Sequence, residues 1–189
     1  LMAYGVVPWH VLKMFYWLTD AFKQKDKNKI LRLSAEIGHY IADAHSPLHS
    51  TENYNGQLTG QKGIHEFLES HLPEVFGESY DYFVGKAVYL EDPLGMIWSR
   101  VLESNLAADS VLGFEMVLTN HYPPDKKYSY EKRGIQTNKT YSYEFSKAYH
   151  QSLNGMVERR MRGSVKLVAG FWFTAWVNAG QPDLGKLVD

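Results

Sequence analysis

The chain has 189 residues, with 20 lysines and arginines, 21 aspartates and glutamates, and no cysteine. This nearly neutral balance excludes a strong overall field that would draw the protein to nucleic acid or to an anionic membrane. The missing cysteines exclude disulfides, thiolate zinc ligands and a cysteine nucleophile, so any metal site must use nitrogen and oxygen donors. The length predicts a single domain over residues 1–189, and no apolar run reaches the roughly 18 residues of a transmembrane helix.

Two amphipathic helices are predicted at the start of the chain. The first begins at Pro8, a favoured first-turn residue, and its apolar positions repeat at helical spacing to about residue 24. The charged sequence KQKDKNK precedes a second periodic run, which ends before Pro47 because proline cannot continue a helix. His39 and Asp43 therefore lie one turn apart on the second helix.

A loop and three further helices follow. Residues 50–63 are rich in Asn, Gly, Gln and Thr, which is typical of a loop. The sequence GIHEFLESHL resumes helical spacing and places Glu69 one turn after His65. Residues 94–118 and 141–177 show apolar positions at helical spacing, and KYSYEKRGIQTN between them is interpreted as irregular. The predicted fold class is all-α.

Five candidate metal ligands are concentrated in one part of the chain: His39, Asp43, His49, His65 and Glu69. Imidazole nitrogens and carboxylate oxygens are ligands that zinc accepts, and four-residue spacing on a helix places two of them on one face. One such pair alone is most often a surface ion pair or a structural histidine. Two pairs, linked by a Pro-Leu-His turn and a glycine-containing loop, favour a metal site.

The segments HYIADAHSPLH and GIHEFLE, with an Asn-Tyr-Asn-Gly loop between them, resemble the ligand core of the zinc-dependent phospholipase C and single-strand-specific nuclease superfamily. The order and gaps of the candidate ligands match. The resemblance implies a secreted or periplasmic, all-α phosphodiesterase with up to three zinc ions. It also implies that a phospholipid head group or single-stranded nucleic acid is the substrate.

The resemblance implies a role for each candidate ligand. His39 is expected to bind the first zinc of a close pair, and Asp43 to be the catalytic carboxylate that bridges this pair. His49, His65 and Glu69 are expected to hold the remaining zinc. Hydrolysis would use metal-activated water for in-line attack on phosphorus.

Other ligands of the superfamily are not visible in this sequence. Members begin with a tryptophan, soon followed by a histidine, and supply a further aspartate and histidine before this region. Residues 1–38 contain only His10, whose context matches none of these ligands. We expect either that the N-terminal part of the protein is missing here, which the abrupt start favours, or that the chain is a degenerate member. In both cases the His49, His65 and Glu69 site is expected to be the best occupied.

Several polar residues are assigned lesser roles. Asn53 and Asn55 could contact a phosphate or head group from the loop, although turn formation explains an Asn-Gly sequence equally well. His10 is expected to be structural, and His45 to be a hydrogen-bonding neighbour of the ligands or an exposed residue. The remaining histidines are expected on the surface: His71, His121 and His150.

Two alternatives to an active hydrolase remain open from the sequence. In the first, the chain is a catalytically silent helical module, in which zinc at His49, His65 and Glu69 supports folding. In the second, it is a metal-free helical bundle with packed histidines. The sequence does not determine the oligomeric state or choose between lipid and nucleic acid.

Overall fold

The computed structural model of the chain describes residues 5–133 and 136–187. Helices account for 69% of the residues and strands for 6%, which confirms the all-α class, whereas the specific phospholipase C/nuclease-like fold stays a prediction. Within the described ranges, each helix is either too short or too polar to cross a lipid bilayer. The helices are α1 (Val7–Gln24), α2 (Lys27–His45), α3 (Ile64–Glu66), α4 (Leu72–Phe76), α5 (Pro93–His121), α6 (Tyr143–Ser152) and α7 (Met156–Asn178).

Shorter helical turns join some of these elements. The 3-10 turns span Pro47–Ser50, Gly77–Ser79 and Leu184–Lys186. A π-helical turn, Phe67–His71, connects α3 directly to α4, so that the three form one continuous helical segment.

The first two helices begin and end at the residues that the sequence indicates. Helix α1 carries Pro8 in its first turn and ends where Lys25 adopts a left-handed conformation with φ 58°. Helix α2 is capped by Asp26, whose carboxylate accepts a hydrogen bond from the Lys29 N–H at 3.0 Å. It ends two residues before Pro47, which confirms the predicted boundary.

The continuous helical pattern over 141–177 is divided into α6 and α7 in the structure. The break lies at Asn154 and Gly155, which have φ values of 47° and 73°. Left-handed residues cannot continue a right-handed helix, and Asn and Gly adopt this conformation at the least cost.

The irregular stretch predicted between the later helices instead forms a two-stranded antiparallel hairpin. Its strands are β1 (Tyr128–Arg133) and β2 (Gln136–Tyr141). Tyr128 lies opposite Tyr141, with ring centroids 5.1 Å apart, and the ammonium of Lys139 lies 3.8 Å from the centroid of the Tyr128 ring. The prediction was wrong because cross-strand aromatic and cation–π contacts stabilise a pairing that the charged sequence does not reveal.

The chain divides into two compact units, each assembled from separate stretches. The first unit comprises Leu1–Ser46, Tyr82–Ser104 and Met161–Asp189. Fully buried apolar side chains of α1, α2 and α7 form its core: Val11, Leu18, Ile37, Ile41 and Phe171. Each such side chain contributes roughly 1.5–3 kcal/mol by leaving water. The expected single domain over residues 1–189 stays a prediction.

The second unit comprises Pro47–Asp81 and Asn105–Arg160 and is built around stacked aromatic rings. Phe67 stacks on Tyr141 at a centroid distance of 3.7 Å and on Tyr149 at 5.1 Å. Burial raises the pKa of Tyr149 well above its usual value, so its neutral hydroxyl donates to the Val111 carbonyl at 2.8 Å. This core holds one face of the helical segment that contains Phe67.

Candidate metal centre

The loop between the Pro47–Ser50 turn and α3 folds back on itself through its own polar groups. The Asn53 side chain is buried, donates to the Thr59 hydroxyl at 2.9 Å and accepts from the Leu58 N–H at 2.8 Å. Gly56 has φ 70°, and a Cβ there would clash with the backbone of Gln61. The loop therefore requires glycine at this position.

A buried acid anchors this loop to α5. Gln61 donates from its amide to the Glu115 carboxylate at 2.5 Å. Glu115 is 1% exposed and also accepts from the Lys127 ammonium at 2.8 Å and from the Thr119 hydroxyl at 2.7 Å. Because the buried carboxylate is hydrogen-bonded through both oxygens, it can hold Gln61 without an unpaired charge.

The helical segment after the loop presents two candidate ligands on the face away from its core. Ile64, Phe67 and Leu68 are buried, whereas the side chains of His65 and Glu69 remain 27% and 30% exposed. Glu69 lies in the π-helical turn, a local deformation that often accompanies functional sites.

Three side chains converge at this position, as the sequence predicts. Nε2 of His65 lies 3.0 Å from Oε2 of Glu69, and Nε2 of His49 lies 3.4 Å from the same oxygen. Donor atoms of all three residues lie within 4.8 Å of one another. Within the described part of the chain, this is the one group of three histidine or acidic side chains with metal-binding spacing.

The two donor separations that involve Glu69 fit a four-coordinate zinc ion. With zinc–ligand bonds of about 2.0–2.2 Å, tetrahedral ligands lie roughly 3.4 Å apart, close to the two separations involving Glu69. Two imidazoles and one carboxylate form a donor set that zinc accepts, leaving a fourth position for water or substrate. The His49 side chain is 35% exposed, so small molecules can reach the group.

Hydrogen bonding defines which nitrogen of His65 carries hydrogen. Nδ1 of His65 lies 3.1 Å from the Tyr54 carbonyl oxygen. A carbonyl oxygen only accepts, so Nδ1 donates and Nε2 of the neutral ring presents a lone pair to the Glu69 carboxylate. Two acceptors at 3.0 Å require a positive centre between them, either a metal ion or a proton on Nε2.

The second predicted pair of ligands lies in the first unit. His39 and Asp43 occupy one face of α2, with Nε2 and Oδ2 3.4 Å apart, and their side chains are 70% and 26% exposed. Among the described residues of that unit, no further histidine or acidic side chain completes a group of three around them. The expected bridging role of Asp43 stays a prediction.

Both loop asparagines use their side chains within the loop. The Asn53 amide binds Thr59 and Leu58, and Oδ1 of Asn55 accepts from the N–H groups of Gly63 at 3.0 Å and His65 at 3.4 Å. These contacts agree with the turn-forming alternative, and the expected contact with substrate stays untested.

The histidines without a predicted ligand role have structural partners. His45 is 4% exposed, donates from Nδ1 to the Ile41 carbonyl at 2.8 Å, and packs against Gly163 of α7. The half-buried ring of His10 packs edge-on against Tyr40 at 4.7 Å, as expected for a structural residue.

Two histidines expected on the surface are half-buried instead. His71 lies 3.0 Å from the Ser146 hydroxyl, which itself donates to the Ser142 carbonyl. His150 stacks on Phe76 at 4.4 Å, and its Nε2 lies 2.7 Å from the Tyr80 hydroxyl. These partners are distant in sequence, so local composition could not indicate them.

Sequence reasoning also missed the groups that orient the triad. Tyr54 contributes through its backbone carbonyl. Every residue has such a carbonyl, so the residue type does not indicate this role. The contact between Gln61 and Glu115 joins residues that are 54 positions apart in the sequence.

Comparisons with protein-family models, curated proteins and solved structures found no match to this chain.

Proposed function

We propose that the chain is a zinc-dependent phosphodiester hydrolase of the phospholipase C or nuclease type, with zinc held by His49, His65 and Glu69. The observation that supports this most directly is the convergence of the three donor atoms within 4.8 Å. The hydrogen bond from His65 Nδ1 to Tyr54 adds independent support, because it directs the lone pair of Nε2 toward Glu69.

Each residue of the triad has a distinct part in this proposal. His49 and His65 supply neutral nitrogen donors, and Glu69 supplies one negative charge, so the loaded site keeps a net positive charge. When bound, zinc supplies Lewis acidity, which lowers the pKa of coordinated water and offsets charge that develops on phosphoryl oxygens. The partial exposure of the three side chains leaves room for a phosphodiester to approach.

His39 and Asp43 complete the proposal as ligands of a paired metal site. Asp43 would hold metal through its carboxylate and orient the attacking group, in keeping with the family resemblance. Because only two ligands are present at this pair, its metal affinity should be well below that of the triad. The proposal thus allows up to three metal ions with unequal occupancy.

The proposed substrate is a phospholipid head group or a single-stranded nucleic acid, handled by a secreted or periplasmic protein. Two clefts of about 210 and 260 Å³ in the second unit share Lys62, Tyr128 and Tyr141, and neither is lined by His49, His65 or Glu69. Lysine can bind phosphate, while tyrosine faces suit either a stacked base or a cationic lipid amine. Both substrate classes therefore have to be assayed.

Metal content and hydrolysis test the proposal together. The purified protein is equilibrated with zinc and dialysed, and its metal content is measured alongside hydrolysis of bis-p-nitrophenyl phosphate. We expect bound zinc and turnover that chelator abolishes and zinc restores. His65→Ala should lose the zinc, whereas His121→Ala, at the end of α5, should retain it. A wild-type protein without bound zinc would refute the proposal.

One observation favours the alternative of a catalytically silent module. The triad joins the Pro47–Ser50 turn to the helical segment that starts at Ile64, so a metal ion there would cross-link two stretches of chain. For this alternative, zinc should raise the melting temperature without producing hydrolysis of bis-p-nitrophenyl phosphate, phospholipid or single-stranded nucleic acid. Hydrolysis that depends on Asp43 would exclude it.

A further inference from the structure

The side chain of Asn55 caps the start of α3 from within the loop. Gly63, the residue before α3, has φ 99° and offers no side chain to bind the first N–H groups of the helix. Oδ1 of Asn55 accepts from the N–H of Gly63 at 3.0 Å and from that of His65 at 3.4 Å. The Asn55 backbone carbonyl also accepts from Gly63, at 3.2 Å.

The preceding residue fixes the ring of the same histidine. The carbonyl oxygen of Tyr54 lies 3.1 Å from Nδ1 of His65, and the Tyr54 ring packs edge-on against the imidazole at 6.2 Å. Tyr54 and Asn55 therefore hold both the backbone and the imidazole of His65. A shift of Asn55 would move the Tyr54 carbonyl with it, because the two residues are adjacent.

We propose that Asn55 is a positioning residue of the metal site, which acts by holding His65 where its Nε2 can share a zinc ion with His49 and Glu69. This inference rests on the proposed zinc site. Asn55 needs no contact with metal or substrate for this role, since its Oδ1 is directed to the N–H groups at the helix start. Loss of such orienting contacts typically weakens metal binding by about 10–100-fold.

The dissociation constant of zinc, measured by competition with a chromogenic chelator, tests the role of Asn55. Asn55→Ala should weaken zinc binding by about 10–100-fold. Asn55→Asp retains an oxygen acceptor for both N–H groups and should keep the affinity within about threefold of wild type. Unchanged affinity in Asn55→Ala, or equal losses in both variants, would overturn the inference.

Asn53→Ala is the matched loop control, because the Asn53 side chain binds Leu58 and Thr59 but neither Gly63 nor His65 in the described hydrogen bonds. It should lower the melting temperature while leaving the zinc affinity of the folded protein close to wild type. If it weakens zinc binding as much as Asn55→Ala does, general loosening of the loop explains the loss and Asn55 has no specific role.

The ring tautomer of His65 gives a readout that needs no metal. In nitrogen-15 spectra of the zinc-free protein, wild type and Asn55→Asp should show a hydrogen-bonded hydrogen on Nδ1 of His65, whether or not Nε2 is also protonated, and Asn55→Ala should lose it. Retention of the Nδ1–H form in Asn55→Ala would contradict the inference. If the wild-type protein binds no zinc, both proposals fail. If zinc binding is lost in His65→Ala but retained in Asn55→Ala, only the proposal for Asn55 fails.

Discussion

His65 and Glu69 lie one helical turn apart, and their Nε2 and Oε2 atoms approach to 3.0 Å while the opposite nitrogen of the imidazole donates to a backbone carbonyl. Two lone-pair acceptors at this distance would repel each other, so either Nε2 carries a proton or a metal ion lies between the two atoms. Oε2 of Glu69 also lies 3.4 Å from Nε2 of His49, so the zinc ion proposed above would contact all three side chains.

Replacing Glu69 should show whether zinc affinity depends on this carboxylate in particular and not on any negative charge near the site. Glu69→Gln removes the negative donor while keeping the size of the side chain, so zinc affinity should fall at least about 100-fold. Glu66→Gln, an exposed neighbour on the same helical segment, removes the same charge outside the triad and should change the affinity little. Isothermal titration with zinc measures both, and equal affinities would contradict the assignment.

Asp43 should matter for hydrolysis more than for the zinc bound by the triad. With Asp43→Asn, we expect turnover of bis-p-nitrophenyl phosphate to fall by about 100-fold or more, because the proposed bridging carboxylate of a paired metal site would be lost. Zinc content at the triad should persist. Asp20→Asn, which removes an exposed carboxylate paired with Lys23 on α1, is the control. Undiminished turnover in Asp43→Asn would reject its catalytic role.

Alanine substitutions at two glycines of the loop should separate the energetic cost of backbone strain from that of a steric clash. Gly56 and Gly60 have similar φ values, 70° and 75°, but only a Cβ at Gly56 meets other atoms, those of Gln61. Gly60→Ala should cost about 1–2 kcal/mol through its left-handed backbone alone. Gly56→Ala should cost about 1–3 kcal/mol more, because the loop must shift. Urea denaturation measures the difference, and equal losses would argue against the clash.

Breaking the ion pair between Glu115 and Lys127 should destabilise the fold far more than breaking an exposed pair on the helix that carries Glu115. Glu115→Ala leaves the largely buried Lys127 ammonium without its carboxylate and should cost about 3–5 kcal/mol of unfolding free energy. The control, Glu103→Ala, removes the partially exposed partner of Arg100 and should cost at most about 1 kcal/mol. Equal unfolding free energies of the two variants would show that the buried network is dispensable.

Acid should weaken the fold through His150. Burial lowers the pKa of His150 below its ordinary value of 6.5, and the nearby Glu158 charge only partly offsets this effect. Below pH 6.5, the ordinary pKa of histidine, His150 of the unfolded chain binds a proton more readily than His150 of the folded chain. The free energy of unfolding therefore falls as the pH decreases through this range. His150→Gln should reduce this decrease, measured by urea denaturation at several pH values. An identical pH dependence in the variant would show that His150 contributes nothing to it.

Much of the helical architecture could be predicted because it depends on neighbouring residues. Helix α1 ends at Gln24 and α2 ends before Pro47, as local periodicity and proline chemistry indicate. The break at Asn154 and Gly155 was missed because apolar spacing continues through it. The pairing of β1 with β2 was missed because its stability comes from contacts between the strands, such as that between Tyr128 and Tyr141.

The candidate site, like the fold, was only partly predictable from the sequence. Sequence alone determined the type and order of the candidate ligands His49, His65 and Glu69, since residue chemistry and helical spacing are local properties. Only the tertiary structure brought His49 to within 3.4 Å of Glu69 and committed Nδ1 of His65 to the Tyr54 carbonyl. Those contacts depend on how the loop folds back and is anchored, and no periodic pattern encodes the distance between segments that are separated along the chain.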